Sequence, residues 1–275
     1  MKTRKRSKFE RFGFVVAVLL VSLVAAPSIS EAAIQPPAFS NGSLKGSYGI
    51  LLNQWSSHAS GSKPFALVGV FDFDGAGNLS ISSFTKNDGG TVITGTGSGT
   101  YSVKNNGTGS MSITLSSNDA GTFSIVIDAK GNGFQMMLTS NCKGGCGTSI
   151  LSGTAVATGG SSFSNASLKG GYESLFVTWT STQNPSAENN LGIFTFDGAG
   201  KVTASLTNDK AGKVTTIKAS GTYSVNADGS GSMTLTAKQG PITLAFAINS
   251  AGKGSQLISA TSGEKSVLSG TTTHQ

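Results

Sequence analysis

The chain has 275 residues, of which 38 are glycine; hydrophobic residues make up 37% and charged residues 12%. This length allows one or two domains, and the balance of apolar and charged residues excludes a wholly disordered chain. The formal net charge is +7, from 20 Lys and Arg against 13 Asp and Glu, and the basic excess is concentrated at the N-terminus.

The N-terminal segment has the pattern of an export signal peptide. Basic residues precede an apolar run over residues 12–26, and Ser30, Glu31 and Ala32 fit a small-x-small cleavage site. That order is typical of signal peptides, and the run is shorter than the roughly 20 apolar residues of a spanning helix. We expect residues 1–32 to be removed and the mature chain to reach the periplasm or the extracellular space without a membrane span. An uncleaved anchor is the alternative.

Signal removal also takes away every Arg of the chain. Arg forms bidentate hydrogen bonds with phosphates and guanine edges, so we expect no nucleic-acid partner. The Lys residues that remain are scattered along the sequence, which is typical of solvated surface charge.

The rest of the chain is an internal duplication. Trp55 and Trp179, the two Trp residues of the chain, occupy matching positions in the two copies. Four segments recur in the same order: residues 39–48 at 163–172, 73–77 at 196–200, 99–103 at 221–225 and 151–154 at 268–271. A repeating unit of this length exceeds the roughly 20–50 residues of a solenoid repeat. We therefore predict two domains, residues 37–156 and 161–275.

Within each copy, apolar residues alternate with Ser, Thr and Lys, as in the row Met111, Ile113 and Leu115. A period of two is typical of strands with one buried face. Asn-Gly and Asp-Gly pairs between the rows supply the positive φ of tight hairpin turns. We predict an all-β fold of two tandem antiparallel up-and-down β-barrels of about eight strands each, in which closure removes both sheet edges. A β-sandwich in each copy is the alternative.

The first strand of each copy opens on a Gly-x-aromatic sequence, Gly46-Ser47-Tyr48 and Gly170-Gly171-Tyr172. This opening resembles that of calycin barrels, the lipocalin and avidin-like group, although Tyr replaces the usual Trp of that group. Long connections at residues 56–64 and 180–189 resemble the lipocalin loop that partly covers the barrel mouth. By analogy, the resemblance implies that the barrels bind a ligand.

Five residues are candidate ligand contacts. Trp55 and Trp179 each follow the strand-opening tyrosine, Tyr48 or Tyr172, by seven residues and precede the long connection, which predicts a place at the barrel mouth. Aromatic side chains under a covering loop are typical of small-molecule pockets. His58, in the Ser- and Gly-rich connection of the first copy, is the fifth candidate. The alternatives are that the Trp residues cap the core and that His58 is a solvated loop residue.

Cys142 and Cys146 are the only cysteines and lie near each other at a predicted hairpin tip. Two nearby cysteines in an exported chain most often form a disulfide, and we predict one here; a redox or metal pair is the alternative. The second copy has no cysteine, so we expect this bridge to cross-link its own hairpin locally and not to be required by the fold.

The sequence contains no pattern that points to catalysis, a metal or a cofactor. Residues 72–78 superficially resemble a calcium loop, but Ala76 stands where a ligand is needed and no late Glu follows. His58 and His274 are the only histidines, and general acid–base catalysis most often uses His. We therefore predict no catalytic residue, no metal ligand and no cofactor.

These observations favour a secreted, non-enzymatic binding or envelope-associated protein built from two duplicated β-barrels. One alternative is a lipocalin-like carrier of a small apolar ligand, and another is an enzyme, a barrel isomerase or cyclase. The expected partner is a small apolar ligand or a component of the cell envelope, including another protein. Val68, Val70 and Ile193 lie opposite the core positions of their strands, and we predict that this second apolar face contacts the other copy or another chain.

Overall fold

The computed structural model describes residues 38–55, 63–139, 150–160, 162–180 and 187–275. The strands in these ranges close into two antiparallel barrels, one per copy. The first barrel comprises β1 (Lys45–Trp55), β2 (Phe65–Asp74), β3 (Asn78–Asp88), β4 (Thr91–Val103), β5 (Thr108–Leu115), β6 (Ala120–Ile127), β7 (Gly133–Leu138) and β8 (Ile150–Ala157). The second comprises β9 (Lys169–Thr180), β10 (Ala187–Asp197), β11 (Lys201–Lys210), β12 (Lys213–Val225), β13 (Ser230–Ala237), β14 (Gly240–Asn249), β15 (Gly254–Ser259) and β16 (Ser266–His274). Short 3-10 helices span Asn41–Ser43, Asn165–Ser167 and Ser250–Gly252.

Each barrel closes because its first strand is paired along both edges. In the first barrel β1 pairs with β2 and with β8, and in the second β9 pairs with β10 and with β16. The other neighbours follow one another in sequence, which is the up-and-down order. The prediction of two tandem eight-stranded antiparallel barrels is therefore confirmed, and the sandwich alternative is wrong, because a closed barrel leaves no free sheet edge.

The β2–β3 turn shows how an Asp-Gly pair builds these hairpins. The carboxylate of Asp74 accepts hydrogen bonds of 2.6 to 3.0 Å from the backbone N–H groups of Ala76, Gly77 and Asn78 and from the Asn78 side chain. Gly75 takes a φ of +80°, which glycine adopts without strain. The hydrogen bonds stabilise the charged carboxylate, with that of the Asn78 side chain contributing most, and lower the pKa of Asp74 from 3.8 to about 2.

The two ends of each barrel differ in structure. At the end where β1 begins, called here the plug end, the 3-10 helix is fastened by Tyr101 Oη, which donates to the carbonyls of Asn41 at 3.1 Å and Leu44 at 2.9 Å. The second barrel repeats this arrangement with Tyr223, Asn165 and Leu168. The opposite end, where β1 and β9 end, is called the mouth end.

Three apolar cores hold the described chain together. One fills each barrel, and the third lies between the barrels, where the outer face of β1 and β2 packs on the outer face of β14, β15 and β16. Its buried members are Leu51, Ala66, Val68 and Val70 from the first barrel and Ala245, Ala247, Ile258 and Val267 from the second. The predicted contact between the copies is confirmed at Val68 and Val70. Ile193 lies outside this core and is 40% exposed.

The Asp74 turn generates a prediction about pH. Because the pKa of Asp74 is lower in the folded than in the unfolded chain, its contribution to stability is complete above the unfolded value and is lost as the pH falls through about 2. We expect Asn78→Ala to raise the pKa of Asp74, as measured by carbon-13 NMR titration of the carboxylates. Asp197, whose turn has Lys201 in the place of Asn78, is the internal control. An unchanged titration midpoint for Asp74 would contradict this account.

The core between the barrels generates a second prediction. Val70→Lys places an ammonium group where the valine is 0% exposed, and an uncompensated buried charge costs about 3–5 kcal/mol. We expect a loss of this size in the free energy of unfolding, measured by urea denaturation. Val214→Lys changes a valine that is 65% exposed and should alter the same quantity by less than about 0.5 kcal/mol. Equal stability of the two variants would show that the contact between the barrels does not contribute to the free energy of unfolding in solution.

Candidate ligand-binding site

Tyr48 and Tyr172 lie at the plug end of their barrels. Each is almost fully buried, and each hydroxyl donates a 2.6 Å hydrogen bond to a backbone carbonyl, that of Gly131 for Tyr48 and that of Gly252 for Tyr172. Burial raises the pKa of both hydroxyls. The bonds tie the first strand of each barrel to the turn between its sixth and seventh strands, which is a structural role.

Trp55 and Trp179 lie at the mouth end, near the ends of β1 and β9. Seven residues of strand separate Tyr172 from Trp179, or about 23 Å at 3.3 Å per residue, so one small ligand does not reach both. Trp179 pairs with Val267, which belongs to the core between the barrels, and strand alternation therefore puts Trp179 on the outer face. A ligand-binding role for either Trp stays a prediction.

The remaining predicted site residues lie outside the described residues. They are His58, Cys142 and Cys146, together with the side chain of Trp55. The ligand contact of His58 and the disulfide between the cysteines stay predictions from the sequence, as does the signal peptide of residues 1–32.

A polar group that the sequence analysis did not identify lies inside the second barrel at its mouth end. It is called here the mouth cluster. On β10 and β11 its side chains share the inward-facing positions of Phe194 and Val202, which belong to the barrel core. Its members are Thr178 on β9, Glu188 and Asn190 on β10, Asn208 and Lys210 on β11, and Thr215 on β12.

Hydrogen bonds connect Asn208 to three other members of the mouth cluster. Asn208 is the centre: its Nδ2 donates to Asn190 Oδ1 at 3.0 Å and to Glu188 Oε2 at 3.5 Å, and its Oδ1 accepts from the Thr215 hydroxyl at 3.5 Å. Glu188 also forms an ion pair with Lys210. Asn190 is 6% exposed and Asn208 is 8% exposed, so both amides lie in the barrel interior.

The corresponding layer of the first barrel has a different chemistry. Leu67 pairs with Lys86 across β2 and β3 where Asn190 pairs with Asn208 across β10 and β11. Lys86 faces inward and forms an ion pair with Asp119, in the turn between β5 and β6. The described residues of each barrel thus include one lysine–carboxylate pair at the mouth end, at positions that the duplication does not relate. In the described part of the first barrel, this layer has no counterpart of the buried pair of amides.

The mouth cluster presents both donors and acceptors at hydrogen-bond spacing. Each amide carries two N–H donors and a carbonyl acceptor, and each threonine hydroxyl both donates and accepts. The carboxylate and the ammonium group of the ion pair compensate each other's charge. This arrangement is suited to recognising a neutral polar molecule.

The start of β10 explains why the sequence analysis missed Glu188. The long connection was expected to extend to residue 189, whereas β10 begins at Ala187. Glu188 is therefore a strand residue, and Glu188 and Asn190 continue the inward alternation of Phe194 and Phe196 toward the mouth end. Extending that alternation backwards from Phe194 by three inward positions was the signal that identifies both residues.

Two further features of the described residues bear on function. They contain no group of three or more His, Cys, Asp or Glu side chains placed to hold a metal ion. Among the helices of that part of the chain, none has the length and apolar character needed to cross a membrane.

Comparison with known proteins finds no matching family model and no matching curated protein. Among solved structures, a protein of unknown function of the DUF3598 family from Nostoc punctiforme is 11% identical, with 85% of this chain and 97% of that chain covered and a TM-score of 0.27. Intact Ap-TbpB, with N and C lobes, is 5% identical, with 86% and 77% covered and a TM-score of 0.31. A candidate AttH from Nitrosomonas europaea is 10% identical, with 90% and 98% covered and a TM-score of 0.32. At these values the similarity carries no argument about function.

The paired amides generate a prediction about stability. Asn208→Leu removes the donor to Asn190 Oδ1, and Asn190→Leu leaves Asn208 Nδ2 with only its 3.5 Å bond to Glu188. A buried polar group left unsatisfied costs about 1–3 kcal/mol. Replacing both by Leu removes the unsatisfied group, so we expect the double variant to recover most of that loss. Urea denaturation of the wild type, both single variants and the double variant measures the coupling. If the double variant loses as much unfolding free energy as the two single variants together, the two amides are not coupled and the prediction is wrong.

Proposed function

We propose that this chain is an exported, non-enzymatic binding protein that takes up a small polar molecule at the mouth cluster of its second barrel. The observation that supports the proposal is the burial of Asn190 and Asn208 at inward positions where the first barrel has Leu67 and Lys86. Export rests on the signal-peptide pattern of residues 1–32.

Stability alone does not account for the mouth cluster. Moving an amide from water into an apolar interior costs free energy that hydrogen bonds only offset, and the first barrel closes with Leu67 at the position of Asn190. Ligand pockets characteristically combine apolar walls with a few convergent polar groups. A connected set of polar side chains that runs from the buried amides to the exposed Thr215 and Lys210 at one end of a barrel therefore supports recognition.

The side chains favour a neutral ligand with several hydroxyl or amide groups. The two amides and the two threonine hydroxyls of the mouth cluster match such groups, because all of them donate and accept hydrogen bonds. Phe176, which pairs with Asn190 across β9 and β10, lies beside the amides in the barrel core, so the mouth cluster borders an apolar wall.

The first barrel favours a second candidate function, the carriage of a small apolar ligand. Phe65 and Ile93 are half-buried at its mouth end and pack against the barrel core. Apolar side chains that remain accessible at the end of a barrel offer the kind of surface that an apolar ligand covers. This candidate is also the function that the calycin resemblance implies.

The proposal is tested on the mature chain by thermal unfolding with neutral sugars, polyols and amides, and by native mass spectrometry of protein purified from its source. A ligand that binds the folded state raises Tm. We expect one of these neutral classes to raise the Tm of the wild type, and the combined Asn190→Leu and Asn208→Leu variant to lose the shift.

Asn105→Leu is the matched control, because Asn105 is exposed in a turn at the plug end of the first barrel; this variant should keep the full shift. The proposal is wrong if no neutral compound shifts Tm and none is retained by the purified protein, or if the double variant responds as the wild type does. A shift with fatty acids that the double variant retains would favour the apolar carrier instead.

A further inference from the structure

The contact between the two barrels joins two different surfaces. The front face is the outer face of the first two strands of a barrel, and the back face is the outer face of its last three strands. Within the chain, the front face of the first barrel packs on the back face of the second. Such a contact is heterologous, so it leaves one front face and one back face without a partner among the described residues of this chain.

The duplication identifies the residues on these two remaining faces. Strand register relates Leu175, Leu191 and Ile193 on the front face of the second barrel to Leu51, Val68 and Val70. It also relates Val126, Met137 and Ile150 on the back face of the first barrel to Ala247, Ile258 and Val267. All six counterparts within the internal contact are buried, so the remaining faces repeat the apolar positions of an interface that the chain already forms.

Exposure singles out the same six residues. In the described ranges seven large apolar side chains are exposed, and six of them are these residues, between 40% and 61% exposed. The seventh, Val214, lies elsewhere, on β12. Apolar side chains grouped on one face of a protein mark an interaction surface more often than scattered ones do.

A polar contact of the internal interface is also repeated. Gln256 Nε2 donates to Thr154 Oγ1 at 3.0 Å across the two barrels. The duplication relates Gln256 to Gln135 on the free back face, and Thr154 on β8 to Thr271 on β16, the strand beside the free front face. Gln135 and Thr271 are both exposed. The donor and the acceptor of this contact are therefore both available to another molecule.

We propose that the front face of the second barrel binds the back face of the first barrel of another copy of this chain, so that the protein assembles head to tail. Each added copy repeats the barrel–barrel contact and again exposes one front and one back face. A heterologous contact of this kind extends into a filament, or closes into a ring where its rotation permits. The faces lie outside the barrels, so this assembly does not depend on the mouth cluster or on any ligand.

Two residue differences make the contact between copies weaker than the contact within the chain. A Cβ atom added at Gly49 would lie 3.3 Å from the Cβ of Ala247, so the two barrels approach closely there. The corresponding residues on the free faces are Glu173 and Val126, which are both larger. Within one chain the covalent link supplies a high effective concentration, whereas separate copies associate only as their concentration rises. We therefore expect reversible, concentration-dependent association.

The test is sedimentation velocity of the mature chain over a range of concentrations. We expect the wild type to shift from monomer to larger species as its concentration rises. Leu191→Lys on the front face and Val126→Lys on the back face should each abolish this shift. Val214→Lys, the same change at an exposed valine away from both faces, should associate as the wild type does. Circular dichroism should show all three variants folded, because the changed side chains are exposed.

Two further samples separate head-to-tail assembly from nonspecific aggregation. Leu191→Lys retains an intact back face and Val126→Lys an intact front face, so a mixture of the two should form dimers and stop there. Glu173→Gly restores the residue found at Gly49 and should move the midpoint of association to at least tenfold lower concentration. The proposal is overturned if the wild type stays monomeric throughout, if either single Lys variant associates like the wild type, or if the mixture forms no dimer.

Discussion

The pairing of the first strand of each barrel along both of its edges is the constraint on which the rest of this structure depends. With β1 held between β2 and β8, and β9 between β10 and β16, every strand has two partners and each barrel has one inside and one outside. Because side chains alternate across a strand, closure assigns each residue either to the barrel interior or to an outer face. The plug end, the mouth cluster and the faces between the barrels all follow from that assignment.

The two copies of the fold differ both in the barrel interior and on the outer faces. Inside, the plug end is retained, with Tyr101 and Tyr223 bonded to the same turn positions. The mouth end differs, because Leu67 and the Lys86–Asp119 ion pair of the first barrel stand where the second barrel has the paired amides Asn190 and Asn208. Outside, positions that pack between the barrels in one copy are exposed in the other. A barrel tolerates both kinds of change because its backbone hydrogen bonds are satisfied by strand pairing, whatever the side chains are. The duplicated shell therefore supports two different interiors and a contact that joins unlike faces.

The alternation of residues along single strands predicted some features of the candidate site and missed others. The tyrosines Tyr48 and Tyr172 were recognised as repeated features, but their hydroxyls are used to fasten turns at the plug end. Trp179 was expected at the mouth end and lies there, on the outer face. Glu188 was missed because the long connection was expected to extend to residue 189, and strand boundaries next to long connections carry few local signals. Asn190 and Asn208 were missed because their pairing joins residues from two strands, which no single strand pattern reveals.

The sequence by itself determined the duplication, the all-strand character of each copy and the turns, because alternation and Asp-Gly or Asn-Gly pairs act over a few neighbouring residues. It did not determine which apolar outer face is covered. Val70 and Ile193 occupy equivalent positions with similar side chains, yet Val70 is buried between the barrels and Ile193 is exposed. Only the tertiary structure decided between them, because burial on an outer face depends on which surface of the other barrel reaches it. That surface is more than a hundred residues away in the chain, beyond the range of any local pattern.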